Sequence, residues 1–341
     1  FRGDGTNYLS VRGDEYKRLT PVYDWMKIPG ATIVQLDKMP GENEIQKWGL
    51  TDYVGAVTDG IYGAVGFDFK SPHTGLAARK AWFFFDKTYV CLGTNISSRM
   101  KNQVLTTVNQ CPLNGEVTVS DADGIHPQEL GSRMKKEVRW VVHDKVGYYF
   151  LKKENVILSN QHMEGSWKIA NRQTTTPTDI IRQDVFTLSI DHGSSPNNGG
   201  YAYMVIPSSD PQSIEKKVEE EGVVILANCP DLQAVRHGGL NMAYAVFYKG
   251  GTLQVHDKIV VEMDSPGMLM VKYNDVGEIL ALGVSDPTRF MKKLHLSVNQ
   301  KIVWPAQENI QTEWDEKQAL TRISVDLPQN EYAGKSVIYN K

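Results

Sequence analysis

Apolar and polar residues along this chain alternate mostly with a period of two. Ala81-Trp82-Phe83-Phe84-Phe85, then Asp86-Lys87, then Thr88-Tyr89-Val90-Cys91-Leu92-Gly93 reads as two strands joined by a tight turn. Further strands are predicted at Val104–Val108, Glu116–Val119, Val138–His143, Gly147–Leu151, Val156–Ser159 and Ser166–Ala170. The series continues through Val185–Ile190, Tyr201–Ile206, Val223–Leu226, Gln233–Arg236 and Met242–Tyr248. β-Branched and aromatic residues fill these runs, and Gly, Asn, Asp and Pro separate them. One segment departs from the pattern. Asp210 to Gly222 reads as a short helix, with Asp210 as N-cap, Pro211 in the first turn and Gly222 as the stop.

A second β series begins near Lys249-Gly250-Gly251. Its predicted strands are Thr252–Val255, Ile259–Met263, Met268–Tyr273, Ile279–Leu282, His295–Val298, Thr321–Leu327 and Lys335–Tyr339. The pattern therefore predicts an all-β, antiparallel chain in two parts, residues 1–249 and 250–341. The second part has the size of a small sandwich. The first is too long for one simple sandwich and suits a large multi-sheet assembly. No internal repeat and no low-complexity linker is visible.

Composition narrows the function classes. A chain of 341 residues buries a large core without disulfide staples. Its 37 Lys and Arg against 40 Asp and Glu exclude a globally basic nucleic-acid binder but leave room for a local basic strip. No apolar run is long enough to cross a membrane as a helix, so neither nucleic acid nor membrane is expected as a partner. The chain opens on Phe1 and reads as trimmed, so the lack of a leader says nothing about export. Cys91, Cys111 and Cys229 are too few for a disulfide framework or an ordinary zinc site. Cys91, in an apolar run, reads as a buried free thiol. A Cys91–Cys111 bridge stays open.

Few local constellations point to chemistry. Arg-Gly-Asp occurs at 2–4 and 12–14, and turn chemistry outweighs an attachment motif in both places. Asp191-His192-Gly193, with Tyr201 and Tyr203 beyond, could pair a base with a phenol, but a loop between core strands is the better reading. His143-Asp144 and His256-Asp257 are isolated pairs, better read as solvated or hydrogen-bonded histidines. No calcium loop, Walker loop, His-Glu-x-x-His or Gly-x-Ser-x-Gly is present, and no cofactor is expected. The basic clusters Arg99/Lys101, Arg133/Lys135/Lys136 and Lys292/Lys293 read as solvated faces balanced by carboxylates. Among the tryptophans, Trp82 and Trp140 sit in strands and read as core. Trp25 lies in Val22-Tyr23-Asp24-Trp25-Met26-Lys27-Ile28-Pro29-Gly30. Trp48, in the polar stretch Glu44-Ile45-Gln46-Lys47-Trp48-Gly49, could stack on the apolar face of a sugar ring, but from local sequence a Trp covering a loop edge is the better reading.

Several of these stretches together resemble polysaccharide lyase family 8, which includes chondroitin AC, hyaluronate and xanthan lyases. They are Gly3-Asp4-Gly5-Thr6-Asn7-Tyr8, Pro21 to Gly30, Asp59-Gly60-Ile61-Tyr62-Gly63-Ala64, and Arg79 to Asp86 with Cys91-Leu92-Gly93. His192-Gly193, Pro196, Tyr201-Ala202-Tyr203 and Gln233-Ala234-Val235 also fit. The likeness runs the whole length and is nearest to the chondroitin AC branch. It implies a large antiparallel β supersandwich of the galactose mutarotase-like kind, then a small C-terminal β-sandwich. The family's N-terminal helical toroid would lie outside this sequence, as a partner domain of the same polypeptide.

The resemblance also implies a chemistry. Family enzymes cleave uronic-acid-containing chains by β-elimination: a base removes the C5 proton, donors hold the adjacent carboxylate, and a phenol protonates the leaving oxygen. The residues that do this belong to the toroid and to the stretch just before Gly3, so no residue here takes a catalytic role. Trp48 matches a family aromatic that stacks on bound sugar. Some relatives bind a divalent cation beside the Trp-x-Lys-Ile-Pro stretch. Here Asp24 remains, but Met26 stands at the second acidic position and Gln35 lies farther along, a poor set for a hard cation. A glycosaminoglycan substrate, chondroitin sulfate before hyaluronan, and a periplasmic or secreted location are implied. Asn95-Ile96-Ser97 matches a glycosylation sequon that would stay bare in a bacterial protein. Two other readings remain: a stand-alone carbohydrate-binding or structural β protein, and a self-sufficient enzyme using His192 with Tyr201 or Tyr203.

Overall fold

A computed structural model describes residues 1 and 3–341, with Glu42 through its backbone alone. Arg2 of the first Arg-Gly-Asp lies outside the described residues. The chain forms two compact units, each assembled from separate stretches of sequence.

The first unit comprises residues 1–48, 69–78 and 96–214. Its sheet places Thr32–Val34, Gln103–Pro112, Ile181–Ser194, Val146–Gly165 and Gly199–Pro207 side by side. Each is antiparallel to its neighbour. Val146–Gly165 is the axis of this unit. Its 20 residues also pair with Gly131–His143, which in turn pairs with Val117–Asp121. Along Val156–Gly165 the register against Ile181–Ile190 runs through ten consecutive pairs without a shift. Period two then sorts the faces. Val156, Leu158, Phe186 and Leu188 are buried, while Ile157, Ser159, Gln161 and Thr187 point to the other side, where a cavity opens.

Leu19, Val22, Tyr23, Ile28, Ala31, Ile33 and Val185 form a separate buried cluster that anchors the irregular stretch Leu19–Ala31 onto this sheet. Gly165 is required there. A Cβ at that position would come within 1.9 Å of the Pro21 carbonyl oxygen.

The second unit comprises residues 49–68, 79–95 and 215–341. A six-stranded sheet runs Val223–Cys229, Leu232–His237, Met242–Phe247, Gly267–Tyr273, Ile279–Ser285 and Val337–Asn340. A five-stranded sheet runs Gly251–His256, Ile259–Met263, Lys293–Val298, Leu320–Asp326 and Ile310–Asp315. Phe247, Leu269, Val271, Leu282, Val261, Leu296 and Ile323 from the two sheets share one core. That is a β-sandwich.

Most predicted strands are present, with ends moved by a few residues. Four differences have physical causes. Gly147–Leu151 and Val156–Ser159 are one strand, since Lys152-Lys153-Glu154 only interrupts the apolar pattern at a bulge. Ser166–Ala170, predicted as a strand, is instead a 3-10 turn over Trp167–Ile169 at the hairpin end. Strands Thr32–Val34, Val54–Thr58 and Gly124–Pro127 carry no clear alternation and escape the pattern; Gly63–Lys70 and Ile310–Asp315 do alternate, but glycines in the first and a mostly polar composition in the second weaken the signal. The helix spans Ile214–Glu221, later than the cap reading places it. Asp210 Oδ1 accepts from the N–H groups of Gln212 and Ser213 in the preceding turn, and Gly222 ends the helix at φ +58°.

Candidate functional site

Trp48 closes a polar segment that leaves the first unit's core. Gly41 N–H donates to the Glu44 carboxylate at 2.6 Å, which tightens a single 3-10 turn at Glu42–Glu44. From Ile45 the backbone is extended, and five of the residues from 37 to 48 are charged, so little holds the segment inside. Trp48 is 82% exposed, with Ile45 and Met39 also exposed. Scattered exposed aliphatics are ordinary on a protein surface. The Trp48 indole likewise leaves most of its flat apolar surface in water. Leu36, Lys38, Met39, Pro40, Gln46 and His73 line a groove of about 460 Å³ in the same region of sequence.

The structure brings His192 and Tyr201 together but buries the pair's chemistry. Their ring centroids are 6.2 Å apart, and Tyr201 and Tyr203 are 5.6 Å apart. His192 Nε2 lies 2.7 Å from Thr106 Oγ1, which is 2.8 Å from Thr32 Oγ1. Tyr201 and Tyr203 are buried. A polymer cannot reach these phenols. The loop expected here is shorter than the sequence suggests: Asp191, His192 and Gly193 lie within the strand Ile181–Ser194, and only residues 195–198 connect it to Gly199–Pro207.

Other candidates also resolve. Arg12 of the second Arg-Gly-Asp is held by carboxylates. Glu15 accepts from the N–H groups of Val11, Arg12 and Gly13 at 2.8, 2.5 and 3.0 Å, so the tripeptide is turn chemistry. Lys293 pairs with Asp326 at 2.5 Å on an exposed face, as expected, whereas Lys135 pairs with Asp121 at 3.4 Å in a largely buried contact. Cys91 and Cys111 are buried free thiols, and Cys229 is an exposed one. His143 is buried and accepts from Asn114 N–H at 3.0 Å. Its Nδ1 lies 3.6 Å from Cys111 Sγ, a contact no local sequence signal announces.

The stretch around Asp24 does not fit a hard cation. Asp24 is the one carboxylate there, and its Oδ2 lies 2.5 Å from Lys27 Nζ. Gln35 Nε2 donates to the Met26 carbonyl at 3.0 Å, and Gln110 Nε2 donates to the carbonyls of Asp24 and Lys27 at 3.0 and 2.6 Å. The oxygens a cation would use are engaged by protein donors, and a thioether replaces the second acid.

The super-sandwich domain of polysaccharide lyase family 8 matches residues 1–218, and the family's C-terminal β-sandwich domain matches residues 224–295. The chain belongs to polysaccharide lyase family 8. Chondroitinase-AC of Pedobacter heparinus is 35% identical over 99% of this family 8 chain and 45% of its own length. A hyaluronate lyase of Thermasporomyces composti is 29% identical over 83% of the chain and 36% of its own length. A solved chondroitinase AC lyase, studied with oligosaccharides, superposes with a TM-score of 0.84 at 36% identity, over 98% of this chain and 47% of that one. The chain thus spans about half or less of the length of these relatives. The expected supersandwich followed by a C-terminal β-sandwich is what the family match and the strands give. Among the described residues, no helix is long and apolar enough to cross a membrane.

Proposed function

We propose that this chain is the β portion of a polysaccharide lyase that cleaves a uronic-acid-containing glycosaminoglycan, chondroitin sulfate foremost, by β-elimination. It forms one wall of the substrate cleft, with Trp48 as the sugar platform. The 82% exposure of Trp48 carries this reading, in a family whose members act on polysaccharides. The base, the carboxylate-holding donors and the phenol come from an N-terminal helical domain of the same polypeptide. The 45% span of the chondroitinase-AC relative supports that division. The protein works in the periplasm or outside the cell, where such polymers are met.

Trp48 offers the C–H face of a pyranose a dry, flat surface, which fixes the chain against reacting groups held elsewhere. In the full-length enzyme, Trp48→Ala is expected to lower kcat/KM on chondroitin sulfate about tenfold, equivalent to roughly 1–2 kcal/mol. The readout is absorbance of the 4,5-unsaturated uronate product. Unchanged kinetics would remove Trp48 from the cleft. Turnover by the isolated chain would refute the placement of the catalytic groups upstream. Binding without turnover by the full-length protein would favour a carbohydrate-binding role alone.

A further inference from the structure

A second cavity, of about 260 Å³, opens on the outer face of the first unit's sheet, and Trp48 is not among its lining residues. Ser132, Ser159, Thr187 and Gln110 stand in register across four adjacent strands and line it. Asp24, Lys27 and Gln35 close one side, and Leu105, Ile157, Met163 and Val185 interleave as apolar patches. Gln110 is spent on holding the Asp24–Lys27 backbone. By contrast, the side chains of Gln103, Ser132, Ser159, Gln161 and Thr187 make no hydrogen bond among the described residues.

We propose that this cavity is a binding site for one neutral sugar ring, an N-acetylated hexosamine. The volume lies just below the usual range for organic ligands, which limits the occupant to a single ring. A pyranose has polar edges and C–H faces, and the lining alternates hydroxyls and amides with aliphatic carbon in the same way. Charge selects against a uronate, because the one cation lining the cavity, Lys27, is already neutralised by Asp24. Unpaired amides at Gln103 and Gln161 match an acetamido group, which both donates and accepts.

The test is a calorimetric or saturation-transfer NMR titration of the chain with N-acetylgalactosamine, N-acetylglucosamine and glucuronate. At least one N-acetylhexosamine is expected to bind saturably with a millimolar Kd, more tightly than glucuronate. Thr187→Val and the exposed-site variant Gln161→Ala should each weaken that binding at least threefold with an unchanged Tm. The same titrations run on Trp48→Ala remove any sugar seated on the platform proposed above; saturable binding and its weakening by Thr187→Val should persist in that background, which separates the two sites. Tighter binding of glucuronate would overturn the proposal. So would the absence of saturable binding by any of the three, or loss of binding in Trp48→Ala alone.

Discussion

Arg12 and Asp144, 132 positions apart in sequence, meet in a two-pronged ion pair, with Nη1 3.0 Å from Oδ1 and Nη2 2.8 Å from Oδ2. The planar guanidinium matches the carboxylate edge to edge. Asn114 Nδ2 adds a third bond to Asp144 at 3.2 Å. The segment that opens the first unit is thereby tied to the turn after Gly131–His143.

This tie is expected to fail in acid. Burial alone would raise the Asp144 carboxyl, but the bonds from Arg12 and Asn114 hold it below its ordinary value. Glu15 is lowered to about 2, with burial opposing and the backbone N–H groups of residues 11–13 prevailing. Groups with a depressed folded pKa stabilise the fold above their unfolded value, about 4, and lose that contribution as pH falls through the folded one. Thermal melts from pH 6 to pH 2 should show Tm falling below about pH 4. Asp144→Asn should flatten part of that slope. An equally steep slope in the variant would show that the tie contributes nothing.

Cys111 and His143 form a thiol–imidazole pair that burial disarms. Burial pushes the thiol well above its usual range and the imidazole down to about 4. Both groups are therefore neutral near pH 7, and no thiolate is available. A thiol reagent added to the folded chain should label Cys229 rapidly, and Cys91 and Cys111 only after denaturation. Fast labelling of Cys111 in the native state would contradict this.

The same imidazole predicts a second pH effect. His143 folds in its neutral form, so its contribution is complete above the unfolded value of about 6.5. It drains away as pH falls from there towards 4. His143→Gln should reduce the Tm difference between pH 7.5 and pH 4.5, and a melt series in both proteins reads this directly.

Gly165→Ala tests how the irregular N-terminal stretch is seated. The added methyl would meet the Pro21 carbonyl, so the hairpin end or the Pro21–Val22 turn must move. A loss of about 1–3 kcal/mol is expected, as for overpacking elsewhere, and chemical denaturation measures it. A neutral result would show that the turn yields freely.

Trp48→Ala, by contrast, should leave stability within about 0.5 kcal/mol of the parent, as exposed substitutions do. A large drop in Tm would mean that the indole is structural.

The β architecture was legible because half-buried strands write their faces into alternate residues. The reading failed where that condition lapsed. Thr32–Val34 is buried at all three positions and shows no alternation. Gly63–Lys70 carries Gly66, needed because a Cβ there would meet Val246 at 2.5 Å, and glycine weakens the strand signal. The exposure of Trp48 could be read because its neighbours in sequence are polar, which makes it a local property. The cavity between Ser132, Ser159 and Thr187 could not, since each residue is an unremarkable polar position on its own strand. Only the register of four strands makes them one surface.

The unbroken register of Val156–Gly165 against Ile181–Ile190 constrains how this protein can change. Inserting or deleting one residue between Ile157 and Met163 would turn Leu158 outward and Ser159 into the core. The length of this strand is therefore frozen, while substitution at its exposed outward residue Gln161 costs the fold little. Any drift in what that face recognises must come by exchange of side chains, one alternate position at a time.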